Sequence, residues 1–160
     1  MTYKVGTGFD SHPMVAGRPC VLGGVTIPHP TGPAGHSDGD AVLHAVADAL
    51  LGAAGLEDLG SIFPDGDPLW KDAPSAKLLR EVARRVIVEG YKIVNIDVVV
   101  ATDGPKIAPH RDAMRQRIGE ILGIGTRDVN VKGKSLEGLA AAGSPAGTCV
   151  VAQSVCLLER

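Results

Sequence analysis

The sequence predicts an α+β fold, and three observations carry that reading. β-prone runs and helical stretches alternate along the whole chain without internal repeats or low-complexity linkers. Their order is strands first, one long helix, then helix, strand, helix, strand and a final strand. At 160 residues there is room for one ordinary core and not for two, so residues 1–160 read as a single domain. Only 3% of residues are aromatic, so that core must come from Val, Ile, Leu and Ala.

Taken in order, Val5 to Phe9 and Val21 to Ile27 read as strands, the second interrupted by Gly23-Gly24, where a bulge is expected. Pro28, Pro30 and Pro33 make residues 28–35 a loop. Asp40 to Ala54 reads as a helix: it is rich in Ala and Leu, follows a Ser/Asp/Gly segment and stops at Gly55. Residues 60–74, with Pro64, Pro68 and Pro74, read as loop. Ser75 is expected to cap a second helix with Leu78, Leu79, Val82 and Val86 on one face and Gly90 as terminator. Ile93 to Ala101 is strongly β-prone. A third helix is expected from about Pro109 to Leu122, with Met114, Ile118, Ile121 and Leu122 inward. Val129 to Lys132 and Thr148 to Leu158 read as the last strands, with a partly irregular Gly/Ala-rich stretch between them.

Charge and cysteine content narrow the function classes. The formal net charge is -2 and the cations are dispersed, so a nucleic-acid footprint is not expected. An anionic ligand would be met by metal ions and helix ends rather than by a basic surface. Cys20, Cys149 and Cys156 are odd in number and lack close metal-type pairing, which suits reduced structural thiols. Cys149 and Cys156 lie seven apart in a strand-like stretch and so leave opposite faces. No run is long and apolar enough to span a membrane, and Met1-Thr2-Tyr3-Lys4 does not open a signal peptide. A cytoplasmic location, with neither nucleic acid nor membrane as partner, is the expectation.

The chemistry concentrates near the start. Asp10 and His12 are two apart, so in an extended segment both leave the same face. His44 lies on the first helix, four residues past Asp40 and eight past His36. Three N/O donors are what a catalytic divalent metal uses when it keeps a position open for substrate. Three polar residues satisfying backbone groups would show the same spacing, and spacing alone leaves both readings open. Asp48, one turn beyond His44, is a candidate to orient it or a solvated helix carboxylate. Ser37 or Asp38 could cap that helix. His29 and His110 have no polar company and read as structural or surface residues.

The wording around these residues adds more. Gly8-Phe9-Asp10-Ser11-His12, Gly23-Gly24-Val25-Thr26-Ile27-Pro28, Ala34-Gly35-His36-Ser37-Asp38-Gly39-Asp40, the helix from His44 to Leu56, and Ile62-Phe63-Pro64-Asp65-Gly66-Asp67-Pro68 occur in that order. Together with Arg80 to Tyr91, Pro105-Lys106 and Val129-Asn130-Val131-Lys132, they closely resemble the 2-C-methyl-D-erythritol 2,4-cyclodiphosphate synthases. These are zinc enzymes of the non-mevalonate isoprenoid pathway. The resemblance covers almost the whole chain.

It implies a mixed β-sheet with helices on one face, assembled as a homotrimer with active sites between subunits. The implied reaction is intramolecular phosphoryl transfer on a cytidine diphosphate substrate, with loss of CMP. Asp10, His12 and His44 would hold one Zn²⁺ per subunit, and Glu137 would help hold a second cation, Mg²⁺ or Mn²⁺. His36 and Ser135 match residues that stabilise the transition state, Ser135 standing where the family has Thr. Ser11 and Ser37, near the metal ligands and His36, would join in binding substrate. Asp58-Leu59-Gly60 and Phe63-Pro64-Asp65-Gly66-Asp67 match the segments that bind the methylerythritol part. Thr102-Asp103-Gly104-Pro105-Lys106-Ile107-Ala108 corresponds to the cytidine loop, and Lys132-Gly133-Lys134-Ser135-Leu136-Glu137 to a phosphate segment. One departure stands out: Ser144 and Ala146 replace a family Arg and an acidic residue, so an isoprenoid diphosphate in the trimer cavity is not expected. The competing readings are a zinc-dependent phosphohydrolase and a non-catalytic trimeric nucleotide- or metal-binding protein.

Overall fold

In the computed structural model, which describes residues 1–70, 73–142 and 148–160, the chain opens with a long strand, β1 (Tyr3–Ala16). Its alternation is clean: Gly6, Gly8 and Met14 are buried, Asp10 and His12 are half-buried on the same side, and Val5 and Phe9 face outward. Next comes a hairpin of β2 (Cys20–Leu22) and β3 (Val25–Ile27). Gly23 and Gly24 are its two turn residues, with φ of +62° and +72°. Two successive positive φ values define a tight hairpin turn that glycines adopt without steric cost, so the expected bulge is instead a reversal. The stretch expected as loop contains β4 (Thr31–Pro33), an edge strand antiparallel to the end of β1, where Pro33 is tolerated.

The central helix, α1 (Ala41–Ala54), begins at Asp40, whose carboxylate accepts from Leu43 N–H, and ends at Gly55 with φ +74°. A short helix, α2 (Leu59–Ile62), capped by Asp58, interrupts the expected loop. In α3 (Ser75–Val88) the capping position is Pro74, so Ser75 is the first helical residue and not the cap. Its inward face is the expected one. β5 (Lys92–Thr102), α4 (Arg111–Leu122), β6 (Val129–Lys134), α5 (Leu139–Ala142) and β7 (Cys149–Glu159) complete the chain. The sheet order is β4-β1-β7-β5-β6, with β5 and β6 parallel and the other pairs antiparallel. This is the expected mixed α+β sheet, with the last strand of the sequence at its centre.

Among the described residues no helix is long and apolar enough to cross a membrane. The three cysteines are free. Cys156 donates its S–H to the carbonyl of Ala49 in α1, and burial pushes its thiol up to about 11. Ser144 and Ala146, and the expectation built on them, lie outside the described residues.

α1 is buried on nearly every side, between the sheet and α3, and its closeness to β1 has a local cause. A Cβ on Gly6 would sit 1.9 Å from the carbonyl oxygen of Ala49, and one on Gly8 would sit 1.9 Å from that of Ala45. Small residues on both elements therefore let the helix backbone rest directly on the strand. Among the described residues the opposite face of the sheet carries no helix, and Val5, Phe9 and Val155 stand exposed there at 69%, 62% and 43%.

Gly8→Ala forces α1 away from β1, because the clashing atoms are backbone and have no rotamer to escape into. The expected loss is about 1–3 kcal/mol, read as a fall of roughly 2–12 °C in thermal unfolding at about 2–4 °C per kcal/mol for a domain of this size. An unchanged melting temperature would show that the packing relaxes freely there.

Candidate active site

Strand period and helix packing bring three ligand atoms together. Asp10 and His12 project from β1 toward α1, and His44 projects from the first turns of α1 toward them. The Asp10 Oδ2 atom lies 2.9 Å from His44 Nδ1 and 2.9 Å from His12 Nε2. The two imidazole rings meet edge to face at 5.8 Å. Among the described residues this is the cluster whose ligand atoms, all within 4.8 Å of one another, fit a metal ion. The His12 Nε2 atom is buried, and its approach to Asp10 is not aligned as a hydrogen bond, so a buried nitrogen is left without a partner. A cation between the three atoms would satisfy it, and two imidazoles with a carboxylate are a donor set that suits zinc.

The electrostatics keep Asp10 anionic. Burial alone would raise its pKa, but His12 and His44 outweigh it and hold the carboxyl well below the usual carboxylate range. Burial likewise works to lower the pKa of His44. Asp10 first, then the charges of Asp40 and Asp38, raise it instead.

His44 is held from behind by hydroxyls that the sequence did not place beside it. Its Nε2 lies 2.8 Å from the hydroxyl of Ser75 and 3.4 Å from that of Ser37. Asp38 takes the Ser75 hydroxyl on one oxygen and the Ser75 backbone N–H on the other at 3.1 Å. Asp48 does not orient His44: its carboxylate accepts from Leu59 N–H at 2.8 Å, at the open start of α2. Asp40, and neither Ser37 nor Asp38, caps α1. Its fully buried carboxylate also accepts from Gly23 N–H at 2.9 Å and Gly24 N–H at 2.7 Å, tying the hairpin to the helix start.

In front of the triad opens a cavity of about 550 Å³. His12, His44, His36 and Ser37 line one side of it, and Leu59, Gly60, Phe63, Pro64 and Asp65, from the segments singled out in the sequence, line the other. Trp70 and Leu78 also contribute, and Trp70 packs edge-on against Phe63 at 4.7 Å. His36 is largely exposed, 3.6 Å from the exposed Asp65, and so is free to swing toward a ligand. Asp58 and Asp67 are instead occupied with local N–H groups, those of Ser61 and Leu69. Gly66 lies outside the lining, and Ser11 leaves β1 toward the open sheet face, away from the triad.

A second cavity, of about 650 Å³, is lined by Thr102, Asp103, Pro105, Lys106, Ile107 and Ala108 on one side. Lys132, Gly133, Lys134 and Ser135 of the expected phosphate segment close the other side, together with Arg111, which sequence reasoning missed. Gly104 is outside this lining and packs on the His29 ring, which is itself bonded to Thr31; a Cβ there would lie 3.1 Å from His29 Nε2. Asp103 organises the turn that follows β6. It accepts from the Ser135 hydroxyl at 3.2 Å, Leu136 N–H at 2.9 Å and Gly138 N–H at 3.2 Å. Glu137 sits on that turn with φ +53°, a left-handed backbone that costs a non-glycine residue about 1 kcal/mol. It is not part of the Asp10–His12–His44 cluster within one chain.

A sheet clad on one side, with ligand atoms from its longest strand and its central helix converging on an open cavity, defines a metal-dependent enzyme of small molecules. Residues 3–159 match the YgbB family. A 2-C-methyl-D-erythritol 2,4-cyclodiphosphate synthase of Desulfatibacillum aliphaticivorans is 53% identical over 150 residues, 92% of this chain and 97% of that protein. One from Moorella thermoacetica is 51% identical over 155 residues, 97% and 94% of the two chains. A solved 2C-methyl-D-erythritol-2,4-cyclodiphosphate synthase in a CDP-bound form superposes with a TM-score of 0.90 at 40% identity, covering 98% of this chain and all of its own. The chain belongs to this family of cyclodiphosphate synthases, enzymes of isoprenoid biosynthesis. The hydrolase and non-catalytic readings gain no support from these relatives.

His44→Ala removes one of the three candidate metal donors, while Ala suits a helix interior. The expected protein keeps its circular dichroism spectrum, loses bound metal in elemental analysis and turns over at background rate. Normal metal content in that variant would remove His44 from the ligand set.

Proposed function

We propose that this chain joins the 2-phosphate of 4-diphosphocytidyl-2-C-methyl-D-erythritol 2-phosphate to the β-phosphorus, at sites completed between the subunits of a homotrimer. A 2-phosphate oxygen forms the new P–O bond to the β-phosphorus, the bond from that phosphorus to the oxygen bridging the diphosphate breaks, and CMP departs carrying that oxygen on its own phosphate. Support for sites between subunits comes from the two cavities, which share no lining residue within one chain. One carries the metal donors and the other carries Ser135, so a substrate needing both is best served by juxtaposed copies. The bare sheet face, with Val5, Phe9 and Val155 exposed, offers apolar surface for such an assembly to bury.

Asp10, His12 and His44 would hold Zn²⁺, one per subunit, and Glu137 a second cation, Mg²⁺ or Mn²⁺. Bound there, the ions supply charge neutralisation at phosphate oxygens. The chain's own residues supply position. Phosphoryl transfer of this kind needs little proton movement, so holding two anions together is the main task. His36 reaches a phosphate from the rim of the first cavity. The wall from Leu59 to Asp65 receives the methylerythritol hydroxyls, and residues 102–108 receive cytosine through backbone groups. The Ser135 hydroxyl, which accepts from Glu137 N–H at 2.8 Å and donates to Asp103, turns its hydrogen to the phosphate as charge builds. Lys106 and Lys134 add positive charge beside it. We place this work in the cytoplasm.

Co-expressed His44→Ala and Ser135→Ala chains test the arrangement. Each is inactive or nearly so alone. Mixed trimers regain about a quarter of wild-type CMP release, because a site then needs one intact half from each neighbour, and no orthophosphate appears. Activity no higher than that of the better parent would mean that each chain holds a complete site.

A further inference from the structure

We propose that Asp38 and Ser75 are positioning residues that fix which nitrogen of His44 carries its proton, and thereby set the affinity of the metal site. This rests on the reading of Asp10, His12 and His44 as metal donors. His44 turns Nδ1 toward Asp10 and the converging ligand atoms, so a bound cation needs the lone pair on Nδ1. The single proton of a neutral imidazole must then sit on Nε2. That nitrogen faces Ser75 Oγ at 2.8 Å.

A hydroxyl can either accept from an imidazole N–H or donate to a bare nitrogen, and in isolation Ser75 would not choose. Asp38 makes the choice. Its carboxylate only accepts, and the oxygen that meets the Ser75 hydroxyl also takes Asp40 N–H at 3.2 Å. The hydroxyl hydrogen is committed to Asp38, which leaves a lone pair for His44 Nε2–H. Asp10 pulls the proton the other way, toward Nδ1, where it would block the metal. The chain Asp38, Ser75, His44 opposes that pull. Ser75 is 1% exposed, so water does not readily replace it. Ser37, at 3.4 Å from the same nitrogen, is the weaker partner.

Zinc affinity measured by competition with a chromophoric chelator tests this. Ser75→Ala weakens zinc about 10- to 100-fold, the usual cost of losing a ligand's outer hydrogen-bond partner, and Ser37→Ala much less. In ¹⁵N-histidine spectra of the zinc-loaded protein, the slowly exchanging His44 Nε2–H signal of the wild type is lost in Ser75→Ala. Asp38→Asn, which frees the Ser75 hydrogen, moves both readouts the same way and serves if Ser75→Ala does not fold. Unchanged affinity and an unchanged Nε2–H signal would overturn the proposal. So would a lower melting temperature of the metal-free chain with no change in affinity, since the hydroxyl would then only tether α3 to α1. Wild-type protein that takes up no zinc would overturn the metal reading itself, which is a separate result.

Discussion

The closeness of α1 to β1 is the constraint from which the site follows. With Gly6 and Gly8 on the strand and Ala45 and Ala49 on the helix, the two backbones touch without intervening side chains. One and two steps further along the same strand face stand Asp10 and His12, and the helix turn beside them carries His44. The carboxylate of Asp10 on the strand then meets the imidazole of His44 on the helix at 2.9 Å. The same packing that builds the core therefore sets the distance between the candidate metal donors.

Three carboxylates cluster at the start of α1, and each is managed differently. Asp40 is fully buried; burial, aided by Asp38, pushes its pKa up to about 6 against the pull of three backbone N–H groups. Asp38 is taken by Ser75. Asp10 has only imidazoles as partners and stays ionised, which leaves it the one carboxylate of the three directed at the ligand cluster. Backbone and hydroxyl donors thus satisfy Asp40 and Asp38, and Asp10 keeps a charge that a cation at the cluster would meet.

What was legible in the sequence was local. Asp10 and His12 obey the strand period, and α1 announces itself by composition and by Gly55 in a left-handed conformation at its end. The edge strand at Thr31–Pro33 exists only because the end of β1 pairs with it, and no local pattern encodes that. Helical spacing put Asp48 on the same face as His44, yet the nearer unsatisfied group was Leu59 N–H. Ser75 is 31 residues from His44, and a serine at a helix start reads as a cap. Its real partners became visible only when α3 folded across α1. Arg111 escaped notice for a similar reason: its guanidinium reaches the carbonyl of Val131 and the side chain of Asn130, on the neighbouring strand.

The most direct test of the account is a crystal structure of zinc-loaded protein with diffraction recorded on both sides of the zinc absorption edge. The account predicts one anomalous peak per chain, within bonding distance of Asp10 Oδ2, His12 Nε2 and His44 Nδ1, with an open position toward the cavity lined by His36 and Asp65. A zinc peak elsewhere, or His44 bound through Nε2 with Ser75 displaced, would contradict it.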